Sequence, residues 1–316
     1  MNASYSVISF PSLGLELNPP RYLELGPLNI YYYGVIIAVG LMLAVFYGLK
    51  RAKQFGLTQD DILDGVLWIV PVSILFARAY YCIFKWEDYA ADPISVLYIW
   101  KGGLAIYGGV IGAALSIILH CKIKKISLPA VLDLVAICFL IGQSVGRWGN
   151  FMNREAFGAE TESFLRMGLM NTLSGATTYY HPTFLYESAW NLVGFIALHF
   201  ISKKRQYDGQ MALCYVAWYG LGRTFIEGLR MDSLYIGTMR VSQLLAAVTC
   251  FIAVALLLWQ AFRRHDRQKL FVNVVAARAE AAALTEAEDA SEEAEEPAEE
   301  TEEPAEEAVA SEEAPE

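Results

Sequence analysis

The residues in this chain best suited to chemistry lie together at the end of an apolar run. Gly142 to Gly158 reads GQSVGRWGNFMNREAFG, with four glycines, two arginines (Arg147, Arg154), two asparagines (Asn150, Asn153) and Glu155. The block follows Ile126–Ile141, apolar apart from Asp133, which reads as most of a membrane-spanning helix. A guanidinium beside a membrane is a planar fork for phosphate oxygens, and glycine lets backbone approach a ligand closely. The block therefore reads as a phospholipid headgroup site. A polar loop capping a helix is the ordinary alternative; the density of Gly, Arg, Asn and Glu favours the site.

Three further groups of residues extend this reading. Tyr219, Arg223, Glu227 and Arg230 are spaced by four, four and three, which puts them on one helix face. Arg223 and Glu227 make either an ordinary intrahelical ion pair or a glutamate that orients an arginine toward phosphate. Gly102-Gly103 and Gly108-Gly109 bracket Tyr107, with Gly108 and Gly112 spaced for close helix packing. Tyr107 reads as an interfacial-belt tyrosine or as a hydroxyl brought to a ligand by neighbouring helices. His181-Pro182-Thr183 with Leu185-Tyr186-Glu187 opens another apolar run, its proline suited to a first helical turn. A lone interfacial histidine such as His181 is more often structural than catalytic, and Arg78 and Asp133 are taken as structural. The chain has no zinc motif, Walker loop, GxSxG elbow or intramembrane aspartate dyad, so no metal or cofactor is expected.

The elements that must position these groups are membrane helices. Apolar windows of the roughly 20 residues needed to cross a bilayer give seven expected spans: Ile30–Leu49, Val66–Phe84, Leu104–Leu119, Leu128–Gly146, Pro182–Ile201, Met211–Leu229 and Val241–Trp259. Basic clusters follow the first span (Lys50, Arg51, Lys53), the third (Lys122, Lys124, Lys125), the fifth (Lys203, Lys204, Arg205) and the seventh (Arg263, Arg264, Arg267, Lys269). All fall on one side, which the positive-inside rule makes cytoplasmic. The expected fold is all-α and polytopic, N-terminus outside and C-terminus inside. Arg147 lies 22 residues beyond Lys125, roughly 33 Å of helix, and so at the outer surface, where Tyr33, Tyr107, His181, Tyr186 and Glu187 also fall. Ionisable groups in a membrane are costly and usually face a cavity or pathway.

The chain divides into an extracytoplasmic segment (1–29), a membrane domain (30–270) and a Glu/Ala/Pro-rich tail (271–316) expected to be disordered and cytoplasmic. From Ala281 onward there are 16 acidic residues and no Lys or Arg, so the formal charge of −10 hides a net +6 over residues 1–280. A partly helical acidic brush is the alternative for the tail. Five cysteines (Cys82, Cys121, Cys138, Cys214, Cys250) lie in or beside apolar runs without metal-ligand spacing and read as small packing residues. Met1–Leu28 lacks the basic start and apolar core of a cleavable signal peptide.

Gly146 through Gly158 closely resembles the signature of bacterial prolipoprotein diacylglyceryl transferases. Matches continue at Tyr32-Tyr33-Gly34, Gly102-Gly103 to Gly108-Gly109, His181-Pro182-Thr183 with Leu185-Tyr186-Glu187, and Tyr219-Gly220 with Arg223 and Glu227, over about residues 20–265. The resemblance implies a bacterial cytoplasmic-membrane enzyme, active site outward, with phosphatidylglycerol and lipobox-containing prolipoproteins as partners and no nucleic acid. It implies transfer of the diacylglyceryl group of phosphatidylglycerol to a lipobox cysteine thiol, with loss of glycerol phosphate. The implied catalytic set is Arg147, Arg223, Glu155, Asn150, Tyr107 and Glu227; the implied phosphatidylglycerol-binding set is Arg147, Tyr33, Asn150 and Gly158. Many family members carry histidine where this chain has Tyr107. A neutral tyrosine is a poor base near pH 7. That leaves three readings: Tyr107 positions a substrate, Glu155 or Glu227 takes the thiol proton, or arginine fields lower the thiol pKa. A transporter or lipid-binding channel could use the same arginines for anions, but it would usually show inverted repeats, and none is evident.

Overall fold

A computed structural model of the chain describes residues 5–26, 28–230, 235–236 and 239–295. The helices are α1 (Tyr32–Arg51), α2 (Gln59–Phe84), the short α3 (Trp86–Tyr89), α4 (Ile106–Lys124), α5 (Leu128–Asn153), α6 (Thr183–Ser202), α7 (Gln210–Glu227), α8 (Val241–Ala261) and α9 (Phe271–Glu295). Six of them are long and apolar enough to cross a membrane: α1 with the turn that follows it, α2, α4, α5, α6 and α8. The expected sixth span is the helix α7, which carries Arg223 and Glu227 and so falls short of the others in hydropathy. Large apolar side chains point out of the bundle, with Leu67 and Phe251 each 74% exposed, as a lipid environment permits.

Lipid offers no hydrophobic drive for helix to meet helix, so small residues and hydrogen bonds must do it. On α1, Gly40, Ala44 and Gly48 are buried at intervals of four, and α5 lies against them, with Gly142 O and Val145 beside Gly40 and Cys138 beside Gly48. On α4, Gly108, Gly112 and Ser116 make the matching stripe against Phe76 and Ser73 of α2. Ser144 and Ser188 join α5 to α6 reciprocally, each hydroxyl donating to the other's carbonyl at 2.9 and 2.8 Å. Trp190 and Trp218 do the same for α6 and α7: the rings stack at 4.4 Å and each indole N–H donates to the other's carbonyl at 3.0 Å.

Three helices extend well past the expected spans; α4 runs on to Lys124 instead of ending at Leu119. α2 begins at Gln59 instead of Val66 because Thr58 and Asp61 form a capping box. α5 continues through the glycine-rich block to Asn153 instead of stopping at Gly146, and ends at Arg154 in the left-handed conformation (φ 56°). Arg147 and Asn150 are therefore helical, one turn apart.

The all-α expectation needs correction at one end of the bundle. Strands β1 (Tyr5–Phe10), β2 (Leu15–Leu17), β5 (Met167–Asn171) and β6 (Thr177–Tyr180) form an antiparallel sheet of order β2-β1-β5-β6. Hairpins β3 (Tyr22–Leu25) with β4 (Leu28–Tyr31) and β7 (Tyr235–Ile236) with β8 (Met239–Arg240) precede α1 and α8. Ile8, Phe10, Met167, Leu169, Tyr180 and Phe184 bury a small core under the sheet. These strands are too short to register in windows sized for membrane spans. Arg154 fastens the sheet to α5, donating to Ser6 O, Met152 O, Asn18 Oδ1 and Pro19 O at 2.8–3.1 Å.

At the opposite end, where the basic clusters gather, Asp133 is fully buried and accepts from Gly209 N at 2.9 Å and Ala212 N at 3.0 Å, capping α7 from a distance. Arg205 pairs with Asp133 (3.4 Å) and Asp208 (3.1 Å) and lies over the Phe55 ring. Asp133 is structural, and so is Arg78, whose guanidinium donates to the carbonyls of Ser95, Val96, Gly102 and Gly103. The five cysteines are unpaired and lie within α2, α4, α5, α7 and α8.

Where a disordered tail was expected from residue 271, the chain is helical over Phe271–Glu295, because alanine and glutamate are strong helix formers. Its first turn belongs to the membrane unit, with Phe271 N donating to Asp208 Oδ2 at 2.8 Å. From Val275 it is a separate unit. Residues 296–316 lie outside the described residues.

The α2–α4 contact sets a prediction. A Cβ on Gly108 would overlap the Phe76 carbonyl oxygen and come within 2.9 Å of Ala77 Cα, whereas one on Gly109 would meet Ala77 Cβ at an ordinary 3.7 Å. Gly108→Ala should lower stability by about 1–3 kcal/mol in a thermal unfolding measurement in detergent, and Gly109→Ala should leave it unchanged.

Candidate active site

At the sheet end of the bundle, α5, α6, α7 and the residues after α7 bring three arginines to one carboxylate. Glu187, in the first turns of α6, is 5% exposed. Its Oε2 lies 2.6 Å from Arg147 Nη2, and its Oε1 lies 3.4 Å from Arg223 Nη1 and 3.3 Å from Arg230 Nη1. Glu227, 2% exposed, pairs with Arg223 Nη2 at 2.6 Å and stands 4.0 Å from Arg230 Nε. It also accepts from the Ser242 hydroxyl, while its carbonyl accepts from Arg240. The spacing on α7 thus delivers Arg223, Glu227 and Arg230 to one place. Arg223 and Glu227 are an intrahelical pair, and they are also joined through Glu187 to Arg147 on another helix.

The glutamates are sealed, but the side chains of Arg147 and Arg223 are 22% and 20% exposed. A guanidinium has five N–H donors, and the carboxylates take only some of them. The arrangement is a pair of preoriented forks open on one side, able to hold a phosphate group and to stabilise charge developing on it.

A second, more exposed chain of contacts leads away from Arg147. Arg147 Nη1 reaches Asn150 Oδ1 at 3.5 Å, Asn150 Nδ2 donates to Glu155 Oε1 at 3.1 Å, and Asn153 Nδ2 donates to the same oxygen at 3.2 Å. Glu155 is flanked by Arg154 and Ala156, both in the left-handed region (φ 56° and 57°). That region is sparsely used by residues with a Cβ and gathers at functional sites.

Other expected site residues hold position by packing. Tyr33 of α1 lies against Gly149, where an added Cβ would come within 2.6 Å of its ring. Gly158 is buried where the α5–α6 connection meets both the start of α6 and the residues after α7. Its N–H donates to His181 O at 2.9 Å, it bridges to Arg230, and a Cβ there would meet His181 Cβ at 2.7 Å. His181 Nδ1 pairs with the Tyr186 hydroxyl at 3.3 Å, in keeping with a structural histidine.

Tyr107 is the exception. At the start of α4 it is 60% exposed, its ring 6.4 Å from that of Tyr80, and no contact joins it to the arginine–glutamate cluster among the described residues. Glu187 as the shared partner, and Ser242 and Arg240, were not singled out from the sequence. The signal for Glu187 was present: a carboxylate inside an apolar run demands a cation. Nothing local to Ser242 distinguishes it.

Six apolar helices long enough to cross a bilayer, with guanidiniums gathered at one end, define a polytopic membrane protein with a cationic cluster at that end. The sequence profile described as "Prolipoprotein diacylglyceryl transferase" matches residues 20–259. Relatives named phosphatidylglycerol–prolipoprotein diacylglyceryl transferase include one from Halalkalibacterium halodurans, 44% identical over 246 residues, covering 75% of this chain and 84% of the relative. That of Lactiplantibacillus plantarum is 43% identical over 256 residues (78% and 89%). That of Listeria welshimeri is 41% identical over 258 residues (80% and 93%). The chain belongs to the prolipoprotein diacylglyceryl transferase family, as the Gly146–Gly158 block suggested.

The site predicts a stability contrast. Glu187→Ala leaves Arg147, Arg223 and Arg230 facing one another without their shared counter-charge and should cost about 3–5 kcal/mol, the range for breaking a buried ion pair. Glu155→Ala, at an exposed carboxylate, should change stability by less than about 0.5 kcal/mol. Thermal unfolding of both variants in the same detergent checks the difference.

Proposed function

We propose that this protein transfers the diacylglyceryl group of phosphatidylglycerol to the cysteine thiol of exported prolipoproteins, on the outer side of a bacterial cytoplasmic membrane. In this reading α7 completes seven spans, the sheet end faces outward, and the basic end and tail face the cytoplasm. The observation that carries it is Glu187 holding Arg147 and Arg223 together with both guanidiniums partly open. The basic residues after α1, α4, α6 and α8 support the orientation.

The reaction is a displacement at carbon. The thiolate sulfur attacks the glycerol carbon esterified to phosphate, a C–S bond forms as the C–O bond breaks, and the electron pair leaves on the phosphate oxygen of glycerol phosphate. Arg147 and Arg223 bind the phosphodiester and stabilise the charge gathering on it as the bond breaks. Glu187 and Glu227 hold the two forks in place, limiting reorganisation during the step. A free cysteine with pKa near 8.5 is mostly protonated at neutral pH, and adjacent cations lower that value, so the same guanidiniums favour the thiolate. Asn150 holds Glu155 beside the site, the one carboxylate of this group with amides instead of arginines as its described partners. Tyr107, at the start of α4 with its ring near Tyr80 and without a described contact to the cluster, is assigned a role in positioning the substrate.

Two outcomes test the assignment. Arg147→Lys keeps the charge but loses the planar fork, and should abolish thioether formation from phosphatidylglycerol and a lipobox peptide while the protein still inserts and folds. Near-normal turnover by this variant would remove bidentate headgroup binding from the mechanism.

Tyr107→Phe loses one hydrogen bond of about 1 kcal/mol, so its rate should fall only several-fold, well short of the roughly 10²–10⁴-fold loss that removal of a general base produces. Tyr107→His should be active and gain a limb near neutrality in its pH–rate profile, because an imidazole titrates there. Loss of all activity in both variants would reject the positioning role.

A further inference from the structure

Under three of the charged groups, Arg147, Glu187 and Arg223, stands a neutral polar one. Gln143 is four residues from Arg147 on α5, Asn191 four from Glu187 on α6, and Tyr219 four from Arg223 on α7. Four residues is about one turn, roughly 5.4 Å along a helix. α5 and α7 run toward the sheet end and α6 runs away from it, so all three residues lie on the bundle-interior side of the arginines.

This second layer has unused hydrogen-bonding capacity. The Asn191 side chain is 2% exposed and has no hydrogen-bond partner among the described residues. It lines a small cavity shared with Glu187, Tyr219, Gly222 and Arg223. The Tyr219 hydroxyl has no described partner either; its ring stacks 5.7 Å from Tyr215. Gln143 Nε2 donates to the Tyr215 hydroxyl at 2.9 Å, and its Oε1 is buried without a partner. Buried polar side chains are almost always paired, so an amide lining a cavity without a described partner implies an occupant that hydrogen-bonds to it.

The cavity measures about 10 Å³, room for one oxygen atom and no more. A phosphate group does not fit. Asn191, Tyr219 and the Arg223 guanidinium, which all line the cavity, can each donate, so an acceptor oxygen of that size suits it. A diacyl glycerophospholipid presents such an acceptor on the membrane side of its phosphate, across the glycerol carbons: the carbonyl oxygens of its acyl esters. Resting on the reaction assigned above, we propose that the cavity between Asn191 and Tyr219 receives an ester carbonyl oxygen of the lipid. Asn191 and Tyr219 thereby recognise the acyl-ester linkage and seat the glycerol carbon beneath Arg147 and Arg223.

The test compares phosphatidylglycerol with its diether analogue, which has the same headgroup and chains but no carbonyls. Both are offered to the purified full-length protein with a lipobox peptide. The expected result is a KM for the diether three- to tenfold above that for the diester, with kcat unchanged, the pattern of a lost ground-state hydrogen bond. Asn191→Leu should raise KM for the diester toward the diether value and leave the diether almost untouched, so the preference disappears. Wild-type protein that uses both lipids equally overturns the proposal whether or not the variant folds. Equal slowing on both lipids by Asn191→Leu also overturns it, since that is the behaviour of a buried structural water. Failure of the wild type to form any thioether from the diester rejects the assigned reaction, and the subsite with it.

Discussion

A carboxylate placed inside a membrane bundle is costly unless cations reach it from several directions, and Glu187 satisfies that requirement with Arg147, Arg223 and Arg230. Arg147 comes from α5, Arg223 and Arg230 from the end of α7 and just beyond it, and Glu187 from α6, so the pairing is satisfied only when α5, α6 and α7 have closed to the correct spacing. The Ser144–Ser188 exchange and the Trp190–Trp218 stack set that spacing. Gly222 opposite the Trp190 indole is what allows the stack to close. Because the cluster is partly withdrawn from water, its ion pairs are less screened than pairs on a soluble surface.

The two ends of the bundle use the same device differently. At the basic end, Asp133 is taken up by backbone N–H groups and by Arg205, with nothing facing outward. At the sheet end, the glutamates are sealed while two guanidiniums remain one-fifth exposed. A buried charge is a fastening where every donor is used. It becomes a site where its partners keep donors in reserve.

What the sequence revealed depended on the range of the interaction. Spans are a property of local composition, and windows located the core of each helix; their true ends depended on caps such as Thr58 with Asp61 and on the left-handed stop at Arg154. The ladder from Tyr219 to Arg230 was readable because helical spacing is regular, and Gly146–Gly158 was readable as a family motif. Glu187 as the meeting point was not, because partners 36 to 43 residues away are named only by the folded chain. The sheet escaped notice because β1 pairs with β5 across more than 150 residues. Tyr107 lies beside Gly108, but that glycine serves the α2–α4 contact, with the Phe76 carbonyl and Ala77 packed against it.

The cysteines acquire a meaning from their placement. An enzyme whose acceptor is a thiol faces a selectivity problem internal to itself, because any cysteine of its own within reach of the activated lipid is a competing nucleophile and a route to self-inactivation. All five thiols lie within helices and outside the arginine cluster; Cys82 and Cys121 are 4% exposed, and Cys250 donates to the Ala217 carbonyl. None of the five takes part in the ion pairs around Glu187 and Glu227, so none of the chain's own sulfurs belongs to the cluster where the acceptor thiol must arrive.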